Sequence, residues 1–170
     1  LDSRTGRLRL ANAGHSFPYL WMASEQAWGM IEVEGVPLGR VTEPKYIAIS
    51  LDMAEQDRLF FYTDGLVEEE NAQHEAFGYE RVEELLYEIA TLPLEIARDH
   101  VFTALKQHCQ RETFSDDVTV LFLEHHERVT HSTPVPIRRL DTREIIQLDA
   151  LTFLDQPSIP EHLSRQHIVV

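Results

Sequence analysis

Only one cysteine, Cys109, occurs among the 170 residues, so no internal disulfide can form and a reducing, cytoplasmic setting is expected. Basic residues are also scarce. With 15 Lys and Arg against 29 Asp and Glu the chain carries a net charge of -14, which opposes a phosphate backbone and excludes DNA or RNA as the expected partner. No stretch approaches the roughly 18 to 20 consecutive apolar residues of a membrane span. The N-terminal Leu1-Asp2-Ser3-Arg4 has no basic-then-apolar export pattern. His125 and His126 have no other soft ligand nearby in sequence and make a poor zinc site.

What remains is the composition of an ordinary folded domain, 43% apolar and 26% charged, at a size that suits one core and a short appendage. Arg7-Leu-Arg-Leu alternates charged and apolar residues, Asn12-Ala-Gly-His15 interrupts it, and Phe17 to Met22 resumes an apolar run, so two strands joined by a turn are expected. Further strands are expected over Trp28 to Val33 and Tyr46 to Leu51, as antiparallel neighbours, with Ile47, Ile49 and Leu51 sharing a face. Arg58-Leu-Phe-Phe-Tyr-Thr63 is almost continuously apolar and reads as a strand buried on both faces that ends at Asp64-Gly65. Tyr79, Val82, Leu85, Leu86 and Ile89 fall at helical spacing, and Pro93 opens a second amphipathic helix through Leu94, Ala97, Val101, Leu105 and His108. Strand character returns at Val118 to Leu123, directly after Ser115-Asp116-Asp117.

Residues 129–170 carry four Arg and five Asp or Glu, leaving -13 of the -14 charge in the first 128 residues. The chain therefore divides into a domain over 1–128 and a linker and tail over 129–170, with Pro134 and Pro136 in the linker and a helix or strand expected within Glu144 to Leu154.

Carboxylates are hard oxygen donors suited to magnesium or manganese, and phosphoryl chemistry commonly gathers several of them around two cations and a water. Asp64, Asp116 and Asp117 are the candidates, because both acidic clusters adjoin ends of core strands, where loops project side chains from a rigid frame. A plainer reading stands beside this one: Asp-Gly is a common turn pair, and Ser-Asp-Asp can serve as turn or cap. By the same weighing His15 reads as a solvated or hydrogen-bonding loop residue, Glu68, Glu69 and Glu70 as a solvated face or helix start, and Trp21 and Trp28 as core packing.

Taken in order, Ala11-Asn-Ala-Gly-His-Ser-Phe-Pro18, Gly35-Val-Pro-Leu-Gly39, Tyr62-Thr-Asp-Gly-Leu-Val-Glu-Glu-Glu-Asn-Ala-Gln73, Phe77-Gly-Tyr-Glu-Arg81 and Ser115-Asp-Asp-Val-Thr119 resemble the protein phosphatase 2C-like family, most closely its bacterial stage II sporulation protein E branch. The resemblance covers about residues 1–127. It implies an α+β fold, a four-layer α-β-β-α antiparallel sandwich, of which this chain would be the later part, with both helices on one sheet. It implies a metal-dependent serine/threonine phosphatase, with two Mn2+ or Mg2+ ions holding a bridging water that attacks the phosphate in line. Carried over by position, Asp64 and Asp116 would be metal ligands, Asp117 would stand beside Asp116, and Gly65 would let the backbone turn tightly at the metal. The implied substrate is a phosphorylated regulatory protein, such as an anti-sigma-factor antagonist in a partner switch.

The family's early Gly-Asp and Asp-x-x-Gly-x-Gly segments, which supply a metal-bridging aspartate, have no counterpart here. Asp2, Asp52 and Asp57 lie in unmatched contexts and are expected at the surface. The metal site is therefore expected to be incomplete and these 170 residues alone to be inactive, with unpaired sheet edges favouring self-association. The alternative is a non-catalytic, phosphatase-like adaptor that binds a regulatory protein.

Overall fold

The computed structural model describes residues 1–2 and 5–126, together with a strand at His167–Val169. Among the described residues, seven strands and three helices follow one another as β1 (Arg7–Ala11), β2 (Tyr19–Met22), β3 (Ala27–Met30), β4 (Ala48–Asp52), β5 (Arg58–Tyr62), α1 (Gly65–Glu68), α2 (Gly78–Ile89), α3 (Leu94–Cys109), β6 (Val120–Glu124) and β7 (His167–Val169). The expected segment Glu144 to Leu154 lies outside the described residues.

A five-stranded antiparallel sheet runs β3-β2-β5-β6-β7, and β1 pairs with β4 in a separate two-stranded sheet. The mixed α+β architecture with antiparallel sheets is the expected one, but the strand neighbours are not in chain order. β1 and β2 are not partners across a turn: β1 leaves to pair with β4, with Leu8 opposite Leu51, while β2 pairs with β3 and β5. Ile47 falls just before β4 and is 72% exposed, whereas Ile49 and Leu51 pack inward. The described residues form three layers, helices on sheet on sheet.

β5 is central because nearly every position of Arg58-Leu-Phe-Phe-Tyr is apolar, which suits a strand covered on both faces. Phe60 and Tyr62 point to the helices, where they join Tyr19, Val120 and Phe122 with Val82, Leu86 and Ile89 of α2 and Val101 and Leu105 of α3. The Phe60 and Phe122 rings meet at 4.7 Å. Both helices thus cover one sheet, as expected. Leu59 points the other way, into a smaller core with Leu8, Ile31, Val33 and Met53. Trp21 is buried, and Trp28 packs against the larger core with its indole N–H donating to the Leu86 carbonyl at 2.7 Å.

Asp57 departs from the expected surface position. It is buried, and its carboxylate accepts from the N–H groups of Ala23 at 2.9 Å and Ala54 at 2.8 Å, closing the β4–β5 turn onto the β2–β3 turn. Two neutral backbone donors replace the water such a carboxylate would lose.

Candidate active site

The register places four strand ends together. Tyr19 pairs with both Phe60 and Met30, and Val120 pairs with Tyr62, so the start of β2 and the end of β3 adjoin the end of β5 and the start of β6. The loops carrying Asp64 and Asp116-Asp117 therefore emerge at the same end of the sheet as Asn12 to Pro18 and the segment after Ile31.

Asp64 is the N-cap of α1, its carboxylate accepting from the Gly65 N–H at 3.1 Å while its carbonyl accepts from Val67 and Glu68. This short helix ends at Glu68, where the run of glutamates reads in sequence as a solvated face or a helix start. Asp116 caps its own turn in the same manner, accepting from the Asp117 N–H at 2.7 Å. All three candidate aspartates are exposed.

The two acidic loops are fastened together by backbone and hydroxyl groups. The Thr63 hydroxyl accepts from the Thr119 N–H at 2.9 Å and donates to the Asp117 carbonyl at 3.1 Å, and the Thr63 N–H donates to the Thr119 carbonyl at 3.0 Å. Gly65 is needed for the fit: a Cβ there would stand 2.6 Å from the Asp117 carbonyl oxygen. The glycine thus allows close approach of one acidic loop to the other.

Glu69 overturns its reading as part of a solvated run. It is 1% exposed, and its carboxylate accepts from the Ser115 N–H at 2.9 Å and the Ser115 hydroxyl at 2.7 Å and pairs with Arg111. Burial works against its ionisation, but the two Ser115 bonds and the Arg111 guanidinium outweigh it and hold the carboxyl below the usual glutamate range. Its neighbours Glu68 and Glu70 are exposed, as expected. Thr63, Glu69, Arg111 and Ser115 are the site residues that patterning misses, since each is defined by a partner more than forty positions away.

At the same end lies a cleft of about 580 Å³ bounded by Asn12, Gly14, His15, Phe17, Gly35 and Ile47, among others. The Asn12 side chain is buried and clasps the backbone of His15, donating to its carbonyl at 2.8 Å and accepting from its N–H at 2.7 Å. Gly35 packs so closely that a Cβ would lie 1.8 Å from the Asn12 carbonyl oxygen, so these two glycine-bearing segments form one wall. His15 itself is exposed, in keeping with a solvated loop residue.

Carboxylates on adjacent loops fit hard cations by donor chemistry. In number they fall short: among the described residues, no group of three or more His, Cys, Asp or Glu side chains is arranged to hold a metal ion. A two-ion centre needs donors beyond Asp64, Asp116 and Asp117.

An antiparallel sheet backed by paired helices on one face and a second sheet on the other, with acidic loops at one end, is the architecture of protein phosphatase 2C-type domains. The RsbU and RsbW domains of Rv1364c from Mycobacterium tuberculosis match with a TM-score of 0.56 at 26% identity, over 74% of this chain and 34% of that one. The SiaA-PP2C domain of Pseudomonas aeruginosa matches at 0.56 and 21% identity over 70% of this chain and 46% of its own length. The phosphatase domain of the cell fate determinant SpoIIE from Bacillus subtilis matches at 0.51 and 16% identity over 79% and 58%. The model of the stage II sporulation protein E (SpoIIE) family matches residues 1–126, and the chain belongs to that family. It spans between 34% and 58% of the lengths of these solved chains. No curated protein sequence matches it.

Proposed function

We propose that this chain is the later portion of a metal-dependent serine/threonine protein phosphatase domain that acts, in the cytoplasm, on a phosphorylated regulatory protein such as an anti-sigma-factor antagonist. The observation that carries this reading is the convergence of Asp64 and Asp116-Asp117, on loops joined through Thr63 and Gly65, in a member of the SpoIIE family. Neighbours that carry RsbU and RsbW domains or a SpoIIE phosphatase domain support a regulatory-protein substrate. Asp64 and Asp116 would give carboxylate oxygens to Mn2+ or Mg2+, and Asp117 would shape the turn beside them. Gly65 would serve by letting the loops close.

A second reading, a phosphatase-like adaptor, is favoured by the apolar side chains lining the cleft, where Val36 and Ile47 are 40% and 72% exposed. One experiment separates the two: manganese-dependent hydrolysis of a phosphoserine protein by this chain and by the full-length protein that carries it, each also as Asp64→Asn and Asp116→Asn. Hydrolysis by the full-length protein that falls at least about a hundredfold in both variants supports the phosphatase. Tight binding of the phosphoprotein without hydrolysis supports the adaptor.

A further inference from the structure

Glu69 sits one turn beyond Asp64, and its carboxylate spends both oxygens on one short segment of chain. Oε1 accepts from Arg111, and Oε2 accepts from the Ser115 N–H at 2.9 Å and the Ser115 hydroxyl at 2.7 Å. Arg111 reaches further and donates to the Glu70 carbonyl at 3.0 Å. This segment leaves the end of α3 and runs straight into Asp116-Asp117. Beyond the aspartates, Thr119 and Asp117 are tied to Thr63. The acidic loop is therefore clamped on both sides to residues 63–70, once at Glu69 and once at Thr63.

We propose that Glu69 is a positioning residue, whose buried carboxylate sets the Ser115-Asp116-Asp117 loop against Asp64-Gly65. Its importance for turnover rests on the phosphatase reading above; its hold on the loop does not. A glutamate is suited to this task because one carboxylate can take a backbone N–H, a hydroxyl and a guanidinium at once, and charge-assisted bonds of this kind are shorter and stronger than neutral ones. Asparagine or glutamine in its place would turn one acceptor into a donor facing Arg111.

The informative bond is the remote one. The Thr119 N–H is held by Thr63, not by Glu69, so it reports whether loosening one end of the loop frees the other. Native-state amide exchange would be measured on the 170-residue chain and on Glu69→Gln, Glu69→Ala and Ser115→Ala. The expected result is exchange at Thr119 faster by about tenfold or more in Glu69→Ala, less in Glu69→Gln, with α3 amides such as Val101 and Leu105 unchanged. Glu69→Gln also covers the case in which the alanine variant does not fold. Thr119 exchange that is unchanged, or that rises only in step with α3, overturns the proposal, because a pair that merely adds global stability moves all amides together. In parallel, Mn2+ alone would be titrated by electron paramagnetic resonance. Weaker binding in Glu69→Ala by about tenfold links the clamp to the metal, whereas no binding by the unaltered chain counts against its share of a metal site and leaves the exchange result to judge the clamp.

Discussion

Phe60 and Phe61 are neighbours in β5 and point into unlike cores. Phe60 faces α2 and α3, where it is fully buried among Tyr19, Tyr62, Phe122 and the apolar stripes of both helices. Phe61 faces the two-stranded β1–β4 sheet and is only partly covered, together with Leu20 and Leu123. One sheet thus has a closed face and a partly open one. The closed face holds the helices, and α1 and the 111–119 segment that build the acidic end adjoin it. The open face contributes a smaller core centred on Leu59 and Leu8. Most of the cohesion that positions the candidate site should therefore come from the helical side.

The sharpest way to break this comparison is to shave the two phenylalanines separately. Phe60→Ala removes a fully buried ring and should cost about 3–5 kcal/mol, from lost transfer energy and the cavity left behind. Phe61→Ala should cost about 1–2 kcal/mol, because part of its ring is already in water. Urea melts of the two variants decide the matter. Equal losses would mean that the β1–β4 side is as tightly packed as the helical side.

This asymmetry was only half legible in the sequence. The unbroken Leu59-Phe-Phe-Tyr62 run announces burial on both faces, and the 3.6-residue spacing of Val82, Leu86 and Ile89 announces a helix with one apolar stripe. Both signals are local. Which strand lies beside which is not local: β1 finds β4 across more than thirty intervening residues, and nothing in Leu8 or Leu51 names the other as partner. Short alternating strands carry a face but no address. Nor does charge identify its own burial. Glu69 is flanked by exposed Glu68 and Glu70, and only Arg111 and Ser115, brought in by α3, distinguish it. Asp57, expected at the surface, is buried for the same reason, since its donors at Ala23 and Ala54 are set by two turns meeting in space. Asp64, Asp116 and Gly65 are a different case: Asp-Gly and Ser-Asp-Asp suit ordinary turns and caps equally well, and only their order along the chain with the other motifs, as in the family they resemble, singles them out.

An effect smaller than that of Phe60→Ala is expected where the acidic loops touch. Gly65→Ala would drive a Cβ to within 2.6 Å of the Asp117 carbonyl oxygen, and since that atom is backbone the loop itself must shift. The cost should be about 1–3 kcal/mol in denaturant melts. The displacement should appear as amide shift changes at Asp117 and Thr119 and not in β1 or β4. Changes spreading into β1 and β4 would show that the two sides of the sheet are coupled more tightly than their packing suggests.

The ion pairs of the two sides extend the comparison to pH. Glu69 is the buried partner of Arg111, with its carboxyl held below the ordinary glutamate value of 4.5. A carboxyl whose folded value lies below its unfolded one binds fewer protons when folded. Its contribution is therefore fully present above the unfolded value and is lost as pH falls through the folded one. The stability gap between the unaltered chain and Glu69→Gln should thus be widest near about pH 7 and should close in the acid range below 4.5. A gap that does not change with pH would mean that the Ser115 hydrogen bonds, not the charge, hold the loop.

On the open side, Arg7 and Asp52 approach at 3.9 Å with side chains 65% and 81% exposed. Water screens that pair, and holding two long side chains in one geometry costs entropy, so Asp52→Asn should change stability by no more than about 0.5 kcal/mol. Their backbones already face one another in the β1–β4 ladder, with Arg7 opposite Asp52, so the ladder itself fixes the register. Asp52→Asn therefore separates two explanations of the small β1–β4 sheet. If stability falls by more than that amount, charge holds the sheet's end. If it does not, the sheet is held by Leu8 and Leu51 packing onto the core around Leu59, and the open face depends on apolar contact as the closed one does, over less area.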